Sequence, residues 1–428
     1  MSNYESLENL IETVSVTHKF DKPSLVFLNT SDVLKGKILT NTYMPVSEMK
    51  GQAKKTIKNG DILYSEIRPK NRRYAYVKGL TNPEDYVVST KLMVLRKLND
   101  RIDNDYLYHF LTNNETVNYL QGRAENRIGS FPQITFNILK SIKIWLPNIS
   151  KQKQIAKVLS ELDYKIELNN RINSVLEAMA KLIYGYWFVQ FDFPDENKKP
   201  YKSSGGKMVY DENLKTEIPD GWAVKRIDEV LNTGLGGTPS TKIEKYWNGE
   251  FPWLNSGEIA NFPIIESELK VTESGISNSA TTLMPKGTCV LSITRHLRPS
   301  ILGVDSCANQ SVVGLFESDL IKSSYIYPYL VNEIPRLMSL RTGAQQPHIN
   351  KGIVDESLIL VPEESILNNY YAYVNSMYEK IINNAFQNQE LAELRDWLLP
   401  MLMNGQVRVG EVEEQLGMVA EEAKNYNS

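Results

Sequence analysis

The residue types that perform covalent or metal chemistry are few in this chain and badly spaced for it. The four histidines (His18, His109, His296 and His348) are isolated from one another and from the two cysteines, Cys289 and Cys307, so neither a zinc spacing nor a disulfide framework can be built. No G-x-x-x-x-G-K-[ST] run is present to cradle nucleotide phosphates. GLGG at 234–237 fails the G-x-G-x-x-G spacing, which leaves a flexible turn as its expected form. G-x-S-x-G is missing, as is the Asn/Asp-Pro-Pro-aromatic run with which amino-methyltransferases hold a target nitrogen. Pro194, Asp195, Glu196 and Lys198 contain the acids and lysine of a metal-dependent nuclease. That chemistry needs carboxylates held apart on rigid strands, and these are contiguous. The spacings point away from catalysis.

Charge is the more promising chemistry. The formal net charge is −3, which argues against a strongly basic nucleic-acid coat, but a mean hides its distribution. Residues 50–75 hold eight basic residues (Lys50, Lys54, Lys55, Lys58, Arg68, Lys70, Arg72 and Arg73) against Asp61 and Glu66, a local net of +6. Residues 406–428 hold five acidic residues against Arg408 and Lys424, a net of −3. A basic patch is masked by acid elsewhere.

Such residues need a scaffold, and the chain writes one twice. VFLNTSDV (26–33) is matched by PWLNSGEI (252–259), and Gly60 in NGDILYS by Gly287 in KGTCVLS. PQITFNILKSIKIWLP (132–147) is matched by PHINKGIVDESLILVP (347–362). The matches keep their order at offsets of 226, 227 and 215, and an Arg and a Pro follow each glycine segment: Arg68 and Pro69, then Arg295 and Pro299. With 428 residues, 42% of them apolar and 23% charged, there is material for several ordinary cores, and wholesale disorder is excluded. Apolar runs at 61–64, 86–95, 288–293 and 311–316, bounded by Gly, Pro and Asn, read as strands. Segments 105–119 and 324–339 have helical spacing.

After each copy comes a long helix, expected at about 149–189 and 364–404. In the first, Ile155, Leu159, Leu162, Ile166, Asn169, Asn173, Leu176, Ala180 and Ile183 step by fours and threes. Adding 215 lands on Tyr370, Val374, Met377, Ile381, Asn384, Asn388, Leu391, Arg395 and Leu398. Stripes of about four heptads exceed what a small domain covers and predict that the two helices pair; packing of each on its own domain is the alternative. The asparagines sit mid-helix, so only an antiparallel register brings Asn169 and Asn173 beside Asn384 and Asn388, where polar core residues would fix it. Residues 191–221 read as a connector, and the acidic tail 406–428 is expected to fray. No apolar run approaches the ~18 residues of a membrane helix, and MSNYESLENLIETV lacks a signal peptide's basic start and apolar core. A soluble cytoplasmic protein is expected.

QKQIAKVLSELDYKIELNNRINSVLEAMAKLIYGYWFV (152–189), followed by FDFP, YKSSGGKMV and IPDGW, resembles the DNA specificity subunit of type I restriction–modification enzymes. GTPS (237–240), FPWLNSGEI (251–259) and NGQV (404–407) resemble further family segments, and the likeness covers essentially the whole chain. The resemblance implies an α+β fold: two α/β target-recognition domains (1–148 and 222–362) and two long helices (149–190 and 363–405) forming an antiparallel coiled coil. It implies a non-catalytic chain that binds double-stranded DNA and two modification (methyltransferase) subunits, and that recruits restriction subunits. No cofactor is expected on this chain; S-adenosylmethionine and ATP/Mg belong to the partner subunits.

On that reading Lys and Arg supply affinity through phosphates, and side chains at base edges supply specificity. Candidates in the first domain are Arg68, Lys70, Arg72, Arg73, Arg123 and Arg127; in the second, Thr238, Ser240, Lys242, Arg295, Arg298, Gln345, Gln346 and His348. A solvated surface charge is the alternative for each. Asp163, Lys165 and Glu167 on the helix, with Tyr184, Trp187 and Phe188 at its end, are candidates for holding the modification subunits. Two related but unlike domains imply two unlike half-sites, about one helical turn (~34–36 Å) apart, with an unread spacer. The competing reading is a single chain that methylates or cuts DNA itself.

Overall fold

The computed structural model describes residues 4–49, 51–126, 132–343, 345, 347–407 and 410. Contacts divide the chain into two units: Met1–Ile166 with Glu390–Ser428, and Glu167–Gln389. Each long helix therefore contributes a part to both.

The first unit holds two four-stranded sheets. One has the order Met44–Pro45, Ser24–Leu28, Tyr86–Ser89, Ala53–Thr56; the other Ile11–Thr13, Leu92–Lys97, Ile62–Ser65, Tyr74–Tyr76. The apolar run at 86–95 is divided between two strands. The chain leaves the first sheet at Ser89 and enters the second at Leu92. The helical stretch 105–119 is likewise broken, into Asn104–Thr112 and Asn114–Glu125. Asn113 ends one helix and caps the next, its side chain accepting from Thr116 N–H at 2.6 Å.

The second unit repeats the plan. A four-stranded sheet runs Thr233–Leu235, Val312–Leu315, Cys289–Ser292, Arg298–Ile301, beside a three-stranded one of Leu269–Val271, Trp247–Leu254, Cys307–Ala308. Ser24–Leu28 pairs in parallel with Tyr86–Ser89, Leu28 opposite Val88; Trp247–Leu254 pairs in parallel with Cys307–Ala308, Leu254 opposite Ala308. Each strand leads into a one-turn helix, Thr30–Asp32 or Glu258–Ala260. The asparagine before each turn donates its N–H to the acid three residues on, Asn29 to Asp32 at 2.7 Å and Asn255 to Glu258 at 2.9 Å. Gly60 and Gly287 both take the left-handed backbone that glycine alone adopts without strain (φ 97° and 89°), turning the chain into Ile62–Ser65 and Cys289–Ser292.

The long helices run Ile149–Tyr184, with a wider π-turn at Gly185–Val189, and Glu364–Met403. Every position of the two predicted stripes is buried or half-buried. In the first unit Ile155, Leu159 and Leu162 share a core with Leu398, Leu399 and Leu402. In the second, Ala180 and Tyr184 share one with Tyr370, Val374 and Ile381. Within that unit the pairing is antiparallel: Asn169 Nδ2 donates to Asn388 Oδ1 at 2.9 Å and to Gln387 Oε1 at 2.8 Å, and Asn384 Nδ2 donates to Asn173 Oδ1 at 2.8 Å. Asn169 and Asn384 are almost fully enclosed, at 2% and 1% exposure.

One expectation changes, and one segment gains detail. The connector is folded, with a hairpin of Met208–Asp211 and Thr216–Pro219, Phe193 stacked on Tyr201 and Trp222 (4.6 and 5.2 Å), and Asp192 holding Ser203. Its aromatic residues bury area that its polar composition concealed. The expectation that changes is GLGG as a flexible turn, because a Cβ on Gly236 would lie 2.2 Å from the Asn309 carbonyl oxygen. These glycines permit a close backbone approach. Among the described residues no helix is long and apolar enough to cross a membrane.

Candidate nucleic-acid interface

In each repeat the loops carrying candidate residues leave the same end of a four-stranded sheet. Ile62–Ser65 and Cys289–Ser292 each turn into a hairpin whose return strand is fixed by register. Ser65 N–H donates to Arg73 O at 2.9 Å, and Ser292 stands opposite Arg298. Arg73 and Arg298 are therefore equivalent, although 69–72 and 296–297 show no matching letters. The intervening loop has seven residues in the first repeat and five in the second.

Arg68 and Arg295 occupy equivalent places in these loops. Both are non-glycine residues in the left-handed region, at φ 46° and 55°. Arg68 N–H donates to Pro132 O at 3.1 Å, and Arg295 N–H to Pro347 O at 2.8 Å. Two residues on, Ile134 N–H reaches Glu66 O at 2.8 Å and Ile349 N–H reaches Ile293 O at 3.0 Å. The proline segment thus pins the arginine turn identically in both repeats. Left-handed backbone at an arginine costs of order 1–3 kcal/mol and persists only where surroundings over-determine it. Both side chains are exposed.

The braces differ. In the first repeat the turn Pro69–Asn71 rests on helix Asn114–Glu125, with Lys70 N–H donating to Gln121 Oε1 at 3.1 Å, and Arg123 is exposed on that helix's last turn. Arg72 engages Asn114, and Arg73 donates to Ser31 O at 2.9 Å, so both are half-buried tethers on their own domain. In the second repeat Arg341 donates to Arg295 O at 2.8 Å, and His348 bridges both Thr294 and Thr342. Arg298, Gln345 and His348 are exposed there. Thr238, Ser240 and Lys242 lie on the adjoining loop, also exposed, Thr238 donating to Gln310 Oε1 at 2.8 Å. Arg127 and Gln346 lie outside the described residues.

The basic segment is sorted by this fold. Lys55 turns inward to Thr90 O and Leu92 O (3.2 and 2.7 Å), and burial lowers its pKa. Asp61 is fully buried and accepts from Nε and Nη2 of Arg96, each at 2.7 Å, so it does not offset the exposed cations.

The aromatic residues expected to hold a partner are placed otherwise. Tyr184, Trp187 and Phe188 are buried, Phe188 lying 4.8 Å from both Tyr325 and Tyr370. They plug the helix end into its own unit, because aromatic rings of this size gain most by full burial. Asp163 is half-buried and pairs with Arg395 at 2.7 Å, neutralising the one charged residue of the predicted stripe. Glu167 pairs with Arg171 along the helix at 2.8 Å, and Lys165 is exposed. Sequence reasoning passed over Gln133, whose bridge to Ile67 matches that of His348 to Thr294; the 215-residue offset held that signal. Nothing in the sequence marked Arg341.

The family model described as the type I restriction modification DNA specificity domain matches residues 21–178 and 219–391, one match for each repeat. The chain is 30% identical to the type I restriction enzyme HindI specificity subunit of Haemophilus influenzae, covering 92% of this chain and 97% of that one. It is 26% identical to the MjaIX specificity subunit of Methanocaldococcus jannaschii over 73% of this chain and 71% of the relative. In fold it is similar to the crystal structure of the type I restriction-modification system S subunit from M. genitalium (TM-score 0.51, 15% identity, 94% and 95% covered). With both repeats matched and a relative aligned nearly end to end, the chain belongs to the type I restriction–modification DNA specificity family.

Proposed function

We propose that the chain is the sequence-reading scaffold of a type I restriction–modification assembly, binding a bipartite, asymmetric and gapped DNA site without catalysing a reaction itself. The observation that carries this reading is the duplicated arginine hairpin, exposed at one sheet end in each of two related but unlike repeats. Exposed cations supply attraction to phosphates, and the unlike loops around them supply two different sets of base contacts. The paired helices join the repeats and offer a surface to two modification subunits. Those subunits bring S-adenosylmethionine, and ATP-driven restriction subunits join the assembly.

Sequencing the methylated positions in cells expressing the chain with its modification subunits tests this. The expected result is two unlike half-sites separated by an unread spacer. A palindrome or an uninterrupted site would refute it, and methyl transfer to DNA by the purified chain alone would refute the non-catalytic role.

A further inference from the structure

The two repeats share a proline-braced arginine turn and differ in most of the side chains around it, and the division has a physical meaning. What two unlike half-sites have in common is the sugar–phosphate backbone; what distinguishes them is the base edges. A contact to the common part should be built alike in both repeats, and contacts to the distinguishing part should not.

We infer that Arg68 and Arg295 are a matched pair of phosphate anchors that set the orientation of each repeat on DNA, while base discrimination lies in the loops that differ. The inference rests on the DNA-reading function proposed above. The two arginines share a left-handed backbone at φ 46° and 55°, and the same N–H bond to the carbonyl of a proline, Pro132 or Pro347. The loops and braces around them diverge. The loops have seven and five residues; one rests on a helix through Gln121 and the other on the Arg341 guanidinium. Gln133 and His348 take the same bridging position with different side chains. A turn held in strained geometry twice, by the same bond and through different braces, places a fixed charge at a fixed point.

Glycine suits the left-handed backbone, so Arg68→Gly and Arg295→Gly remove the charge while relieving strain. The assembled methyltransferase carrying either variant should stay folded and melt close to the parent. Releasing one phosphate contact lowers the slope of log K against log salt by ~0.9, which at 0.15 M salt is about fivefold in affinity, and both together about thirtyfold. The loss should be the same on specific and unrelated DNA, and the methylated sequence should stay as it is. A changed methylated sequence, or an unchanged salt slope in a folded variant, would overturn the assignment. Substituting Gln133 or His348 should instead alter preference at single base pairs. If the parent assembly itself showed no preference for any sequence, the functional reading would fall together with the anchors.

Discussion

The polar seam of the helix pair can be taken apart by a double-mutant cycle on Asn173 and Asn384. Asn384 is 1% exposed, and its Nδ2 donates to Asn173 Oδ1 at 2.8 Å. Asn173→Leu leaves a deeply buried amide without its acceptor and should cost about 2–3 kcal/mol. Asn384→Leu orphans the half-buried Asn173 oxygen, which water partly reaches, and should cost about 1 kcal/mol. The double variant orphans neither amide and brings two leucines together, each contributing up to about 1.5–3 kcal/mol of apolar burial. The coupling between the sites should therefore be about 3–4 kcal/mol in favour of the double variant, at the top of the range for residues of one network. A whole-chain melt averages over two units, so hydrogen exchange of the amides in 167–184 and 370–389 is the proper readout. Light scattering should show the double variant, and more so a variant with Asn169 and Asn388 also replaced by leucine, forming slipped or associated species that the parent does not. Additivity of the single effects within about 0.5 kcal/mol would refute a coupled seam.

Other perturbations follow from the same structure. His109 is buried against Ser160 (3.1 Å), and burial lowers its pKa to about 4. A lowered histidine pKa stabilises the fold above the unfolded value of about 6.5 and loses that contribution as pH falls towards 4. His109→Gln should thus flatten the acid-induced fall in stability between those limits by about 2–3 kcal/mol, measured by denaturation at stepped pH. Asp163→Ala breaks the half-buried pair with Arg395 and should lower stability by about 1 kcal/mol after allowance for solvent screening. Lys165→Glu, on an exposed site, should leave the melt within about 0.5 kcal/mol while reducing co-purification of the modification subunit. Full recovery of that complex would remove Lys165 from the partner surface. Gly236→Ala forces a Cβ against the Asn309 carbonyl and should destabilise its unit by about 3 kcal/mol in thermal unfolding; an unchanged melt would mean the loop opens freely.

Periodic and repeated features of this fold were legible because they are written many times over. The helix stripes persist through about four heptads, and the asparagine pairs stood out as polar letters within them. Gly60 and Gly287 marked their turns for the same reason: a left-handed residue is a local demand that the letter itself answers. Single contacts between distant segments were not legible. Asp163 looked like an exposed charge because its partner, Arg395, lies 232 residues away. Tyr184, Trp187 and Phe188 looked like a docking patch because the tyrosines that cover them come from two later helices. The connector's polar letters outnumbered the few aromatic residues that fold it.

The hairpin arginines show both limits at once. Their equivalence rests on strand register and on a bond to a proline whose offset, 215, differs from that of the arginines themselves, 227. The twelve-residue difference is absorbed between the hairpin and the proline segment. Loops can lengthen or shorten there without moving the turn, since both ends of the constraint are backbone groups: an N–H on one side and a carbonyl on the other. Side chains can then be exchanged freely, as Gln133 for His348, provided the backbone bond survives. If the two arginines anchor phosphates as inferred above, a recognition domain built in this way separates holding DNA from reading it. New sequences become readable by substitution in the loops, and the strained arginine keeps its place because the bond that holds it does not depend on the letters around it.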